Sequence, residues 1–237
     1  MTTNVDSDLV LSRMPPRLVL ADEVYSRLRT LIMESSILPD TRINIEDVAR
    51  QLDVSPTPVR ESLARLESDG LVDKLPLKGY RTTELLDRDA IRELYELRLL
   101  LEPNAAAQAS AGMTSARADR LRAEVQSGSS HVQAHAGNDT SYQELSHHDV
   151  RLHDLVLELA GNETIRRAYA RTHCHLHIFR LSYSGTFGTH TIDEHAAVVD
   201  AITSGDAAAA ESAMSRHIVA SRDRTLSHFD VGLAAGI

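Results

Sequence analysis

Residues 54–63 read Val54-Ser55-Pro56-Thr57-Pro58-Val59-Arg60-Glu61-Ser62-Leu63. Ser55 is a residue type that caps helix N-termini, and Pro56 then takes the first helical position, where a missing N–H costs nothing. The predicted helix runs to about Asp69, with Val59, Leu63 and Leu66 on one face, and Gly70 supplies its stop. Upstream, Val24, Leu28, Leu31 and Ile32 recur at helical spacing and predict a helix over Ala21–Ser35, broken at Leu38-Pro39-Asp40. A short helix follows, with Asn44 as cap and Val48, Ala49 and Leu52 turned inward. Downstream, two short strands fit Leu71–Leu75 and Tyr80–Leu85, joined by a tight turn at Leu77-Lys78-Gly79.

Helix, short helix, tight turn, capped helix, hairpin is the order of a winged helix-turn-helix, here expected over residues 18–86 behind a flexible arm, residues 1–17, that ends in Pro15-Pro16. In that design the second helix of the pair lies in the major groove and its first residues face base edges. Those residues are Ser55, Thr57 and Arg60, with Arg65 one and a half turns on and able to reach phosphate. The wing tip, Lys78-Gly79, is placed to enter or skirt the minor groove, because glycine lets the backbone approach closely.

Charge neither makes nor breaks this reading. The net charge of −9 argues on its face against a nucleic-acid partner, but a chain-wide sum hides local signs. From Val54 to Thr83 the tally is Arg60, Arg65, Lys74, Lys78 and Arg81 against Glu61, Glu67, Asp69 and Asp73. That is only slightly basic, so the case rests on pattern. The stretch from Ile45 to Leu52, the Val54–Leu63 segment, Leu66-Glu67 and Asp69-Gly70-Leu71-Val72 closely resemble the N-terminal domain of the GntR superfamily of transcription regulators, over roughly residues 18–85. The resemblance implies that Arg60 and the wing glycine contact DNA and that a homodimer reads a short palindrome. Members of the family often carry Arg where this chain has Pro56, so one DNA contact is expected to be missing.

The second half has a different chemistry. All twelve histidines lie at or after His131. Aromatics are 4% of the chain and Trp is absent, so the cores rest on Leu, Ile, Val and Ala, a composition that favours helix. Helices are expected at about 87–111, 114–135, 139–160, 162–181, 189–204 and 206–228, with Gly112, Gly137, Gly161, Gly185 and Gly205 at or near their junctions and no strand after residue 86. The fold class is therefore mainly α: a winged helix-turn-helix followed by an all-helical bundle over 87–230 and a tail, 231–237.

Asp149 and His153 are four residues apart and share a helix face. His195 falls about ten residues before the turn at Gly205-Asp206 and His217 about eleven after it, so an antiparallel helix pair, rising about 1.5 Å per residue, brings both to nearly one height. Three imidazoles and a carboxylate suit a divalent transition metal, zinc first, with nickel or manganese as alternatives. With twelve histidines, spacing alone does not separate this quartet from coincidence. Asp149-x-x-x-His153, Gly161-Asn162, Glu194-His195 and Met214-x-x-His217-Ile218, however, resemble the FCD ligand-binding domain of the FadR branch, over about residues 88–228. In that domain the matching Asp and three His often bind a metal, and the pocket accepts a small carboxylate.

Arg98 lies on a stripe with Ile91, Leu94, Leu101 and Ala105 that should face the bundle interior. It reads either as a contact for an acidic effector, which the family's pattern at Tyr95-Glu96-Leu97-Arg98 favours, or as the partner of Glu102 one turn on. Asn162 is a ligand contact or a helix cap. His147 and His148 are expected at the surface. His173, His175 and His177 would scatter over different faces of one helix, so no second metal site is expected there, and Cys174 reads as a core residue.

A single cysteine excludes an intrachain disulfide and fits a reducing compartment. No stretch approaches a membrane span, and residues 1–12 lack the layout of a signal peptide, so a cytoplasmic protein without a membrane partner is expected. The expected function is a homodimeric, DNA-binding regulator of operator DNA that senses a small organic acid. In the nearest alternative the metal is itself the signal. A metalloenzyme would leave the DNA-binding half unexplained and has no evident general base beside the quartet, and a fatty-acyl sensor would not need the four metal-type residues.

Overall fold

The computed structural model describes residues 17–76, 78–134, 139–181 and 188–234. Of the expectations above, residues 1–16 of the arm, Leu77 of the turn, Gly137, Gly185 and residues 235–237 lie outside these. The chain separates into two compact units, one running through Ile32 and Ser36–Thr83, the other from Glu84 onward.

In the first unit, α1 (Arg17–Met33) starts four residues before the expected Ala21 and turns Ala21, Val24, Leu28 and Ile32 into the core. α2 (Ile45–Gln51) is capped by Asn44, whose side chain accepts from the Glu46 N–H at 2.9 Å, and Ala49 is buried. The chain then turns through Asp53 at φ 52° into α3 (Pro56–Ser68). Ser55 occupies the cap position with extended backbone but makes no side-chain cap bond; proline at the first helical position has already removed one orphan donor. Val59, Leu63 and Leu66 are each fully buried, each burial contributing roughly 1.5–3 kcal/mol. Ser62 locks α3 to α1, its hydroxyl lying 2.7 Å from both the Ala21 and Pro58 carbonyls.

Gly70, at φ 73°, ends α3 and leads into the sheet. β2 (Val72–Leu75) and β3 (Gly79–Thr82) form the wing, with Lys74 opposite Tyr80. The sheet has a third member that the sequence did not announce: β1 (Arg42–Ile43) pairs antiparallel with β3 and gives the order β1-β3-β2. Two residues are too short a run for alternation to register, and β1 exists only because β3 offers it an edge.

Among the described residues the second unit is helical: α4 (Arg88–Ala111), α5 (Ser115–Ala134), α6 (Asp139–Leu159), α7 (Glu163–Ala170), α8 (Cys174–Leu181), α9 (Gly188–Thr203) and α10 (Ala207–Ala234). Asp87 caps α4, accepting from the Ala90 N–H at 2.8 Å. α4 packs along α10, α5 along α6, and α9 against α4, α5 and α10. Small residues are buried in the core on both helices of the first pair, Ala105, Ala106 and Ala109 of α4 and Ala210 and Ala213 of α10. Larger side chains, Leu121, Leu152, Val156, Ile202 and Ile218, fill the remaining core.

The single helix expected over 162–181 is instead two. His173 adopts φ 46°, a left-handed conformation that ends α7 and re-aims the chain into α8. The three residues between α7 and α8, Arg171-Thr172-His173, include neither Gly nor Pro, so no punctuation in the sequence reveals the break.

Candidate DNA-reading helix and metal centre

On the first unit, Ser55, Thr57 and Arg60 are exposed on the first turns of α3, and Arg65 and Lys78 are exposed as well. Arg60 Nη2 lies 3.1 Å from Glu46 Oε1 of α2, a surface pair of the kind worth little in water and readily exchanged for phosphate or a base. Arg65 pairs with Asp22 and lies over the Tyr25 ring, 4.1 Å from its centroid. Gly79 has φ 86°, and a Cβ there would sit 3.1 Å from the Ile43 carbonyl. Glycine is thus required by the turn and by the approach of β1. Arg42, which sequence reasoning passed over, donates from Nε to the Lys78 carbonyl at 2.9 Å and braces the wing turn.

The second unit buries a polar cluster. Asp149 and His153 come from α6, His195 from α9 and His217 from α10; all four are buried, and one ligand atom from each lies within 4.8 Å of the others. His153 Nε2 and His217 Nε2 are 3.3 Å apart, and His195 Nε2 is 3.3 Å from Asp149 Oδ1. Donors about 2.0–2.1 Å from a tetrahedral zinc ion stand about 3.3 Å from one another.

The far sides of two of these rings are fixed by carboxylates. His153 Nδ1 bonds Glu102 Oε2 of α4, and His217 Nδ1 lies 2.9 Å from Glu194 Oε2 of α9. A carboxylate only accepts, so each Nδ1 carries the hydrogen and each Nε2 is left with its lone pair turned inward. Two lone pairs facing each other at 3.3 Å repel unless a cation lies between them. The residues present therefore fit a divalent metal. Burial pushes His153 down to about 3 and His217 down to about 4 despite their acidic neighbours, which keeps both rings neutral as ligands must be. Burial opposes the charge on Asp149, but His175, His195 and His153 together outweigh it and hold the carboxyl well below its ordinary range.

Arg98 of α4 borders this cluster. Its Nε donates to Glu102 Oε1 at 2.6 Å, and Nη2 stands 3.5 Å from His153 Nε2. Both readings of Arg98 therefore hold a share of the geometry: it is the intrahelical partner of Glu102 and a buried cation beside the candidate centre. Tyr169 of α7 donates to Glu102 Oε1 at 2.6 Å and lies 2.8 Å from His175 Nε2, whose Nδ1 reaches Asp149.

Residues 93–220 match the FCD domain model, and residues 20–81 match the gntR family of bacterial regulatory proteins. The chain is a transcriptional regulator of the GntR family. It is 24% identical over 217 residues to the HTH-type regulator YdhC of Bacillus subtilis, covering 90% of this chain and 92% of that one. A protein of Paenarthrobacter nicotinovorans named as a D-xylose utilization operon transcriptional repressor is 24% identical over 227 residues, 95% of this chain and 97% of its own. The Nta operon transcriptional regulator of Aminobacter aminovorans is 42% identical, over 67 residues that make up 28% of this chain and 31% of its own. Among solved structures, a GntR regulator from Rhodococcus sp. RHA1 superposes with TM-score 0.67 at 19% identity, covering 87% of this chain and 97% of its own. McbR/YncC of E. coli gives 0.64 at 19%, covering 89% and 98%. These two likenesses concern the fold alone. No described helix is long and apolar enough to cross a membrane.

Within this GntR frame, the structure shows the cap reading of Asn162 and corrects that of His148. Asn162 is an exposed N-cap that accepts from the Ile165 N–H at 3.1 Å. It also lines a cleft with Leu101, Asn104 and Gln108. His148 is fully buried and bonded to His195. It falls on the stripe Leu145, His148, Asp149, Leu152, His153, Val156, which is continuous at helical spacing and was the available signal. His175 is drawn to Asp149 by the break at His173, which no spacing rule reveals; Cys174 is buried, as expected. Among the described residues the quartet is the one metal-type group.

Proposed function

We propose that this regulator is a cytoplasmic homodimer that binds a palindromic operator and changes its affinity when a small carboxylate reaches a metal held by Asp149, His153, His195 and His217. The observation that carries this reading is the inward-facing set of lone pairs on His153 and His217 beside the buried Asp149 carboxylate. Zinc is the ion we favour, since nitrogen-rich sites with one carboxylate suit it, with nickel or manganese as the alternatives. A divalent ion bound there supplies a Lewis-acid position for a carboxylate oxygen.

The chain's own residues supply the rest. Arg98 offers a buried positive charge next to His153, so an acidic effector meets a cation already desolvated and aimed by Glu102. Asn162 caps α7 and is the second candidate effector contact, at the cleft it lines. Any shift of Arg98 or Glu102 moves α4, whose capped start at Asp87 follows directly on the end of the first unit. α4 also packs along α10, which carries His217. In a dimer such a shift changes the spacing of the two α3 helices. Half-sites must match about one DNA turn, so a small change is felt as affinity. Ser55, Thr57 and Arg60 would read bases, with Arg65, Lys78 and Gly79 against the backbone. The operon roles printed for the P. nicotinovorans and A. aminovorans relatives are of the same kind.

The complete burial of the quartet favours a second reading, in which the metal alone is the signal. Elemental analysis of the purified protein, followed by operator titrations with metal, with chelator, and with metal plus a panel of carboxylates, separates the two. The first reading expects a carboxylate to change affinity by about 5–150-fold, a coupling of about 1–3 kcal/mol. Switching by metal alone would establish the second. Operator affinity that ignores both would overturn each.

A further inference from the structure

Two of the three cluster imidazoles have a carboxylate directly behind them; the third does not. Behind His195 stands another imidazole, His148, with Nε2 2.9 Å from His195 Nδ1 and Nδ1 2.9 Å from Glu124 Oε1 of α5. Arg151 donates from Nε to the two Glu124 oxygens at 3.0 and 3.2 Å and fixes the carboxylate in place. Room for the interposed ring exists because residue 128, inside α5, is glycine. A Cβ there would sit 2.5 Å from both Cγ and Nδ1 of His148, closer than such contacts occur. Glycine is the poorest helix former after proline, so its place in the body of α5 needs a reason, and the His148 ring is one.

The hydrogen-bond logic of this chain runs one way. Glu124 can only accept, so His148 Nδ1 carries the hydrogen and His148 Nε2 is an acceptor. His195 Nδ1 must then donate to it, which leaves the lone pair on His195 Nε2. That nitrogen is buried and makes no hydrogen bond of standard geometry, and Asp149 Oδ1, the other metal-type donor beside it, stands 3.3 Å away. We propose that Gly128, His148 and Glu124 are positioning residues that set the tautomer of His195, so that Glu124 dictates through two rings which nitrogen faces the candidate metal. The role assigned to that nitrogen rests on the metal reading above; the tautomer itself does not.

The test uses the full-length, metal-free protein. Side-chain ¹⁵N shifts report which ring nitrogen of His195 is protonated, and zinc affinity is measured by competition with a chromophoric chelator. Wild type is expected to show His195 protonated at Nδ1. His148→Phe removes the acceptor, and Gly128→Ala displaces the ring while favouring the helix. Both should lose the single tautomer and bind zinc about 10–100-fold more weakly, as for loss of a group that orients a metal ligand. His148→Gln restores a carbonyl acceptor near the same place and should recover most of both readouts. An unchanged tautomer in His148→Phe, or an equal loss in the Phe and Gln variants, would overturn the proposal. If wild type binds no zinc, the metal reading fails, and the nitrogen shifts alone still decide this one.

Discussion

His217 Nδ1 lies 2.9 Å from Oε2 of Glu194, and Arg224 donates to the same oxygen from the other side at 2.8 Å. His217 and Arg224 outweigh the partial burial of Glu194 and pull its carboxyl down to about 2, so the acceptor stays charged across the physiological range. Glu194→Gln should therefore weaken metal binding by about 10–100-fold without abolishing the fold. Chelator competition measures this directly; equal affinity would mean that the ring of His217 is oriented by packing alone.

Arg98 and Glu102 make the opposite kind of pair, with side chains 2% and 1% exposed. Burial opposes the charge of Glu102, but Arg98 and His153 hold its carboxyl well below its usual range. Removing the guanidinium in Arg98→Ala leaves a desolvated carboxylate one partner short, a change expected to cost about 3–5 kcal/mol in urea unfolding. A loss under about 1 kcal/mol, the scale of an exposed pair, would show that the interior relaxes around Glu102.

Arg60 is exposed and its ion pair with Glu46 is a surface one, so Arg60→Ala should leave stability within about 0.5 kcal/mol of wild type. Specific operator binding should nevertheless weaken by roughly 1–3 kcal/mol and lose discrimination at one base position. Anisotropy titrations on operator and scrambled duplex at fixed salt check this. A uniform loss on both duplexes would make Arg60 a phosphate contact.

Stability of the metal-free protein should depend on pH in a defined direction. His153 and His217 are pushed down to about 3 and about 4 from an ordinary 6.5. Between those values the unfolded chain binds protons that the folded chain refuses, so their contribution is present above 6.5 and falls away on acidification. His175 goes the other way: Cys174 and Asp149 outweigh burial and raise it to about 10. Its contribution is full below 6.5 and is lost as pH rises toward 10. Burial opposes ionisation of the Cys174 thiol, but His175 outweighs it and lowers Cys174 in return. The folded chain thus gives up a thiol proton over the range where it keeps the His175 one, and the two offset each other on the alkaline side. Melting temperature under chelator should therefore decline on acidification below the ordinary histidine value. A profile still rising on acidification below it would contradict the burial of neutral His153 and His217.

What the chain states by itself is what helices state locally. Asn44, Ser55-Pro56 and Gly70 punctuate the DNA-binding unit over short spans, and the apolar faces of α1 and α3 repeat at one period, so the order of elements is legible before any packing is known. Asp149 with His153, and His195 with His217 about the Gly205 turn, are legible for the same reason, since helical rise and period convert spacing into geometry. Packing alone decided the rest. The burial of His148 needed Gly128 on a different helix, and the roles of Glu102 and Glu194 needed α4, α6, α9 and α10 side by side. His175 reached Asp149 only through the backbone reversal at His173, and β1 formed only against β3. A residue's spacing tells which face of its own helix it shares, but what lies opposite that face depends on residues tens of positions away, and no local period carries that.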